Sequence, residues 1–190
     1  GACIGVILGV FAGYFGGWVD ALISRLVDIL LAFPGLLLAI TIVAILGAGS
    51  VNTIIAIMIF TVPGLTRMVR GCVMGLKNSE YVQACYTMGE SDMRIIFTHI
   101  IPNAMSQIIV NVTLSLGTAI LTASSLSFLG LGVTPPEAEW GAMLSGMREV
   151  VRTYPMGVLV PGITITIVVM SFSLVGDGLR DALDPKLKNN

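Results

Sequence analysis

Charge is what this sequence most lacks. Of its 190 residues 11% are charged and 55% are hydrophobic, whereas a soluble domain is about a quarter charged. Ten basic residues stand against eleven acidic ones, for a net charge of −1. No basic field exists to draw in nucleic acid. The three cysteines, Cys3, Cys72 and Cys85, lie far apart and share no C-x-x-C spacing. That excludes a disulfide scaffold and a zinc site of the usual kind. His99 is the sole histidine, so a metal centre built from clustered histidines is also excluded, and no metal site is expected. No G-x-x-x-x-G-K-[ST] occurs, so the chain has no P-loop with which to bind ATP. With a mean hydropathy of +0.94, what remains is an all-α, polytopic transmembrane helix bundle.

The uncharged gaps measure the spans. A spanning helix needs about 20 mostly apolar residues, and the sequence predicts five, at about 1–16, 25–46, 51–75, 103–127 and 156–177. Gly47–Asn52 reads as a tight polar turn. Segments joining the spans alternate sides of the membrane. One set carries Arg25, Arg67, Arg70, Lys77, Arg94, Arg180, Lys186 and Lys188, and the other only Arg148 and Arg152. The basic set belongs in the cytoplasm, which places the Arg67–His99 loop and the C-terminus there. The chain then starts on the outer side within an apolar run, so at least one preceding helix is expected.

Proline or glycine interrupts several spans, at Phe33-Pro34-Gly35, Val62-Pro63-Gly64, Gly117 and Val160-Pro161-Gly162. These positions serve close helix packing or kinks about which helices rock. Asp28 and Arg25, three residues apart, share a helix face and are expected to form an interfacial ion pair.

Residues 78–103 are the informative loop. Asn78 and Ser79 precede a run of helix formers that stops at Gly89, a natural C-terminal breaker. A second helix starts at Ser91, with Asp92 favoured by the positive helix end. Two short helices with a glycine bend present a docking knob, and the small residues Ala84, Cys85 and Gly89 permit close approach by a partner.

Gln83-Ala84-Cys85, three residues, Gly89, nine residues, then His99-Ile100-Ile101-Pro102 resembles the EAA loop of bacterial ABC importer permeases. That pattern is Glu-Ala-Ala, three residues, Gly, nine residues, Ile-x-Leu-Pro. The spacing fits without a gap; Gln83, Cys85, His99 and Ile101 depart from the motif residues, and Glu80 lies one turn before Gln83. Four further stretches resemble the "C"-type permease subunit of dipeptide, oligopeptide and nickel ABC importers. They are Ala12–Asp20, Ser127–Gly132, Pro135–Gly141 and Gly176–Pro185, and His99-x-x-Pro102-Asn103 is also usual there.

The resemblance covers nearly the whole chain and implies one transmembrane domain over 1–190 with the type I importer permease fold, the family's first helix missing. It implies a bacterial inner-membrane subunit that forms half of a path for di- or oligopeptides, with glutathione or nickel as alternative cargo. It implies no enzyme activity and no cofactor in this chain, ATP and Mg²⁺ being bound by partner ATPases. The implied partners are a second homologous permease, two cytoplasmic ATPase subunits, an extracytoplasmic substrate-binding protein, the peptide and membrane lipid. Glu80, Gln83, Ala84, Cys85 and Gly89 would dock the ATPase, and Pro102 would pass its motion to the following span.

Two features stay open at this level. Asn111, Ser115, Thr118 and Thr122 recur at four-, three- and four-residue steps, drawing a stripe on one helix face; it either lines an aqueous path or bonds a neighbouring helix. The outer loop 134–154, with Trp140, Glu137, Glu139 and Glu149, either meets the binding protein or caps the bundle. Two rivals fare poorly. A hydrolase using Ser124 or Ser125 with His99 would have its groups roughly 35 Å apart at 1.5 Å per residue. An ATP-independent channel or secondary transporter has no clear mid-membrane charge to couple an ion gradient, and leaves the knob without a task.

Overall fold

The computed structural model describes residues 1–183 and is mainly helical, with no strand among those residues. Lys186 and Lys188 of the topology count, and Asp184-Pro185 of the last matched stretch, lie outside the described residues. The helices are α1 (Ala2–Phe15), α2 (Gly17–Leu31), α3 (Gly35–Leu46), α4 (Ser50–Lys77), α5 (Glu80–Thr87), α6 (Asp92–Ile95), α7 (Ile101–Phe128), α8 (Trp140–Gly146) and α9 (Met156–Leu183). A π-helical turn, Ile96–Ile100, joins α6 to α7, so one continuous helix runs from Asp92 to Phe128.

Among the described residues three helices are long and apolar enough to cross a membrane: α4, the Asp92–Phe128 helix and α9. The expected span at 25–46 is two helices, α2 and α3, which reach that length only as a pair. The break falls at Pro34, whose ring disfavours helical backbone at the residue before it and which adopts φ −57°, ψ 124° ahead of α3. The expected first span is α1, whose 14 residues extend about 21 Å, short of the roughly 30 Å hydrocarbon core. It ends where Gly16 takes φ +66°. Pro63 and Pro161, read as possible interruptions, lie inside unbroken helices.

The fold divides into two compact units. One comprises Gly1–Ala32, Thr61–Val112 and the stretch from Gly176 onward; the other comprises Phe33–Phe60 and Thr113–Val175. In the first, α1 lies directly on α4 through a glycine stripe. A β-carbon on Gly5 would stand 2.9 Å from Leu65 Cβ, one on Gly9 2.7 Å from the Thr66 carbonyl oxygen, and one on Gly13 2.8 Å from that of Arg70. Only glycine allows backbones this near. Two ion pairs fasten α2 to α4: Arg70 bonds Asp20 through two nitrogens at 2.5 and 2.6 Å, and Arg67 bonds Asp28 at 2.6 Å. The expected Arg25–Asp28 pair is therefore replaced by a cross-helix pair, because α4 brings Arg67 within reach of Asp28.

The second unit has its core at Ala39, Val43, Ala56 and Leu126. The Gly47–Asn52 turn forms as expected. Asn52 donates through Nδ2 to the carbonyls of Leu46 (2.9 Å) and Gly47 (3.0 Å), satisfying two groups orphaned at the end of α3.

Candidate functional site

The 78–103 segment builds a knob on the first unit. After α4, Ser79 donates to the Leu76 carbonyl at 2.5 Å, and α5 begins with Glu80 in its first turn, where the helix dipole favours an acid. The helix stops as the sequence predicts. Gly89 takes φ +82°, and the Glu90 amide turns back to the Cys85 carbonyl at 3.2 Å, closing the helix end in the way a left-handed residue permits. Ser91 precedes α6, and the Ile95 amide donates to its carbonyl.

One side of the knob faces inward. Val82, Cys85, Ile95, Ile96 and Ile100 are buried with Val10, Tyr14, Val69 and Val73 in a single apolar core. The Tyr14 hydroxyl donates to Asp92 at 2.8 Å, while Lys77 donates to the Tyr14 carbonyl at 2.6 Å and lies over the tyrosine ring. The end of α1, the end of α4 and the start of α6 are thus latched together. Beside the latch opens a cavity of about 400 Å³ lined by Tyr14, Phe15, Lys77, Val82, Gln83, Tyr86 and Asp92.

The other side faces out. Glu80, Gln83, Ala84, Gly89 and Pro102 are exposed, so five of the six residues singled out as coupling residues share the accessible surface. Cys85 does not; at 8% exposure it belongs to the core, because it falls on the face of α5 that carries Val82. Large apolar side chains stand among the exposed residues, with Met88 74%, Phe97 66% and Tyr86 63% exposed. Sequence reading missed this apolar surface, as it missed the Tyr14–Lys77–Asp92 latch. The only signal for the latch was Asp92 at a helix start, and nothing local pairs it with a residue 78 positions away.

A further grouping joins residues the sequence kept apart. Cys85 Sγ, a carboxylate oxygen of Glu90 and a ring nitrogen of His99 lie within 4.8 Å of one another, in a chain whose lone histidine had argued against any metal site.

The polar stripe lies on α7. Thr118 bonds the Ser115 carbonyl, Thr122 the Thr118 carbonyl, and Asn111 the Gln107 carbonyl, at 2.8 to 2.9 Å. These bonds fold back onto the helix that carries them. In the 134–154 segment, Glu139 accepts from the Ala142 amide at 2.7 Å, capping α8, and from the Ser124 hydroxyl at 3.0 Å. Glu137 accepts from Ser50. A β-carbon on Gly141 would lie 2.0 Å from the Ser124 carbonyl, so α8 is pressed against α7. Glu137 and Glu139 thus bond within the fold, although Glu137 is exposed, as are Glu149 and Trp140.

The family profile described as "Binding-protein-dependent transport system inner membrane component" matches residues 5–189. The chain is 50% identical over 188 residues to the glutathione transport system permease protein GsiD of Escherichia coli O157:H7, covering 99% of this chain and 62% of that protein. It is 53% identical over 170 residues to the dipeptide transport system permease protein DppC of Alkalihalophilus pseudofirmus, covering 90% of this chain and 56% of that protein. The chain thus spans about three fifths of the length of the curated relatives it matches.

Proposed function

The chain belongs to the binding-protein-dependent transport system inner membrane components, and from that premise we propose that it is a permease subunit of an ATP-driven peptide importer, coupled to a cytoplasmic ATPase through the 78–103 knob. The single observation that carries the coupling role is the two-sided knob. Its inner face is a buried core continuous with α1 and α4. Its outer face exposes Glu80, Gln83, Ala84 and Gly89 beside Tyr86, Met88 and Phe97. An exposed apolar patch ringed by polar groups is the surface of a protein contact.

The mechanism follows from the connections. Glu80, Gln83, Ala84 and Gly89 dock the ATPase, whose closure displaces the knob. Asp92 to Phe128 is one helix, so displacement passes through the π turn and Pro102 into α7 without a flexible joint. The Tyr14–Asp92 bond carries the same displacement to α1. Such a lever biases a two-state bundle between inward-open and outward-open forms. Cys85 supports the docking helix from within the core.

In this reading α4, the Asp92–Phe128 helix and α9 cross the membrane singly, α2 and α3 together make a broken span, and α1, shorter than the hydrocarbon core, completes five by entering it against α4, with the knob and C-terminus in the cytoplasm. Residues 1–190 act as one transmembrane domain. A second homologous permease supplies the other half of the path, two ATPase subunits hold ATP and Mg²⁺, and an extracytoplasmic binding protein delivers the peptide to the 134–154 side. The names of the relatives support peptide cargo, with glutathione, itself a small peptide, as the second reading.

Reconstitution of the full-length subunit with its partners in proteoliposomes tests the proposal. ATP-dependent uptake of labelled di- or oligopeptide, stimulated by the loaded binding protein, is the expected result. Glutathione uptake without uptake of other peptides selects the second reading, and absence of ATP-driven uptake of either class overturns both.

A further inference from the structure

We propose that Cys85, Glu90 and His99 form a binding site for one divalent transition-metal ion, with zinc the best chemical match. The three side chains come from different elements: Cys85 from α5, Glu90 from the turn after Gly89, and His99 from the π-helical turn. A π turn inserts a residue into a helix and re-aims the side chains it carries. Here it brings His99 Nε2 to 3.3 Å from Glu90 Oε2, and all three donor atoms lie within 4.8 Å of one another.

Zinc bonds sulfur at about 2.3 Å and nitrogen or oxygen at about 2.0–2.2 Å, so tetrahedral geometry separates its donors by about 3.3–3.8 Å. The histidine–glutamate distance already has that value. Side-chain rotation that moves a donor by about 1 Å brings the thiolate into the same shell. The three side chains supply three ligands and leave a fourth position for water or another donor. A thiolate, an imidazole and a carboxylate form a borderline-soft set that favours zinc or cobalt over magnesium or calcium.

A second observation points the same way. Glu90 Oε2 is shielded from solvent and makes no hydrogen bond, its contact with His99 Nε2 at 3.3 Å being an ion pair only when the imidazole is protonated. A water-shielded carboxylate oxygen without a hydrogen bond is weakly satisfied beside a neutral imidazole, and a cation between it, the imidazole and the thiol would satisfy it. Cys85 also occupies a position where the resembled loop motif carries Ala. An ion held there would clip the end of α5 to the root of α7 and stiffen the knob. That consequence rests on the coupling reading; the binding itself does not.

The test is titration of cobalt(II), as a spectroscopic stand-in for zinc, into the full-length subunit purified with its partners and stripped of metal and nucleotide. The expected result is a thiolate-to-cobalt charge-transfer band that saturates at one equivalent per chain and is displaced by zinc. Cys85→Ser removes the band. Glu90→Gln and His99→Gln, at part-exposed positions where folding is retained, each weaken binding by at least about tenfold, as losing a ligand should when outer-shell changes already cost that much. Cys3→Ser and Cys72→Ser leave it intact. No stoichiometric band, or a band indifferent to Cys85, Glu90 and His99, overturns the site and leaves a Glu90–His99 ion pair beside a buried thiol. The titration requires no transport, so its failure leaves the importer reading standing, and failure of that reading leaves the titration unaffected.

Discussion

The hydroxyl of Tyr14 donates to the carboxylate of Asp92 at 2.8 Å, joining the end of the first helix to the start of the helix that becomes α7. Tyr14 is 4% exposed and Asp92 lies at the surface, so this bond ties the membrane core to the knob. Tyr14→Phe removes the bond and keeps the ring. The released carboxylate can hydrate, so the cost is about 0.5–1.5 kcal/mol. Hydrogen exchange over residues 80–100 is expected to quicken while the rest of the chain keeps its protection. Unchanged exchange there would show that the apolar core alone holds the knob.

Gly89→Val tests the bend. The space around Gly89 is open, but its φ of +82° is one that a β-branched residue reaches only at a cost of about 1–2 kcal/mol. Membrane insertion is expected to persist while ATP hydrolysis and uptake become uncoupled. Gly89→Asn, which tolerates left-handed backbone, is expected to retain most coupling. Normal transport by the valine variant would contradict the assignment.

Gly9→Leu tests the α1–α4 seam. Its β-carbon would sit 2.7 Å from both the Thr66 carbonyl and Val69 Cβ, so the helices must part. A loss of about 1–3 kcal/mol is expected, in the range of other overpacked sites. Thermal unfolding in detergent measures it. Gly71→Leu, on α4 where a side chain meets open space, is expected to be far milder.

The two ion pairs between α2 and α4 differ in burial, which orders their strengths. The Arg70 and Asp20 side chains are 31% and 20% exposed, against 59% and 55% for Arg67 and Asp28. Double-mutant cycles are expected to give about 1 kcal/mol of coupling for the first pair and less than about 0.5 kcal/mol for the second. Equal couplings would show that burial does not decide their worth.

Residues whose meaning is local could be read from the chain alone. The knob's helices, its stop at Gly89, the Gly47–Asn52 turn and the apolar runs around α4, α7 and α9 depend on neighbours a few positions away. Misreadings arose where tertiary pairing decides. Asp28 was given to Arg25 on its own helix, but α4 presents Arg67. Cys85 was grouped with Ala84 by motif, yet adjacent helical residues face different ways and Cys85 turns into the core. Pro34, Pro63 and Pro161 look alike in sequence, but only Pro34 ends a helix. The grouping of Cys85, Glu90 and His99 eluded spacing rules because a π turn, which those rules do not foresee, brings His99 back to Glu90 and Cys85.

The most direct measurement is co-purification of the ATPase with the full-length subunit from detergent, comparing the native sequence with an Ala84→Trp, Gly89→Trp double variant. The account predicts that the ATPase accompanies the native subunit and is lost from the variant, while both insert and accumulate equally. Retention of the ATPase by the variant, or no ATPase with the native subunit, would contradict the knob as the coupling surface.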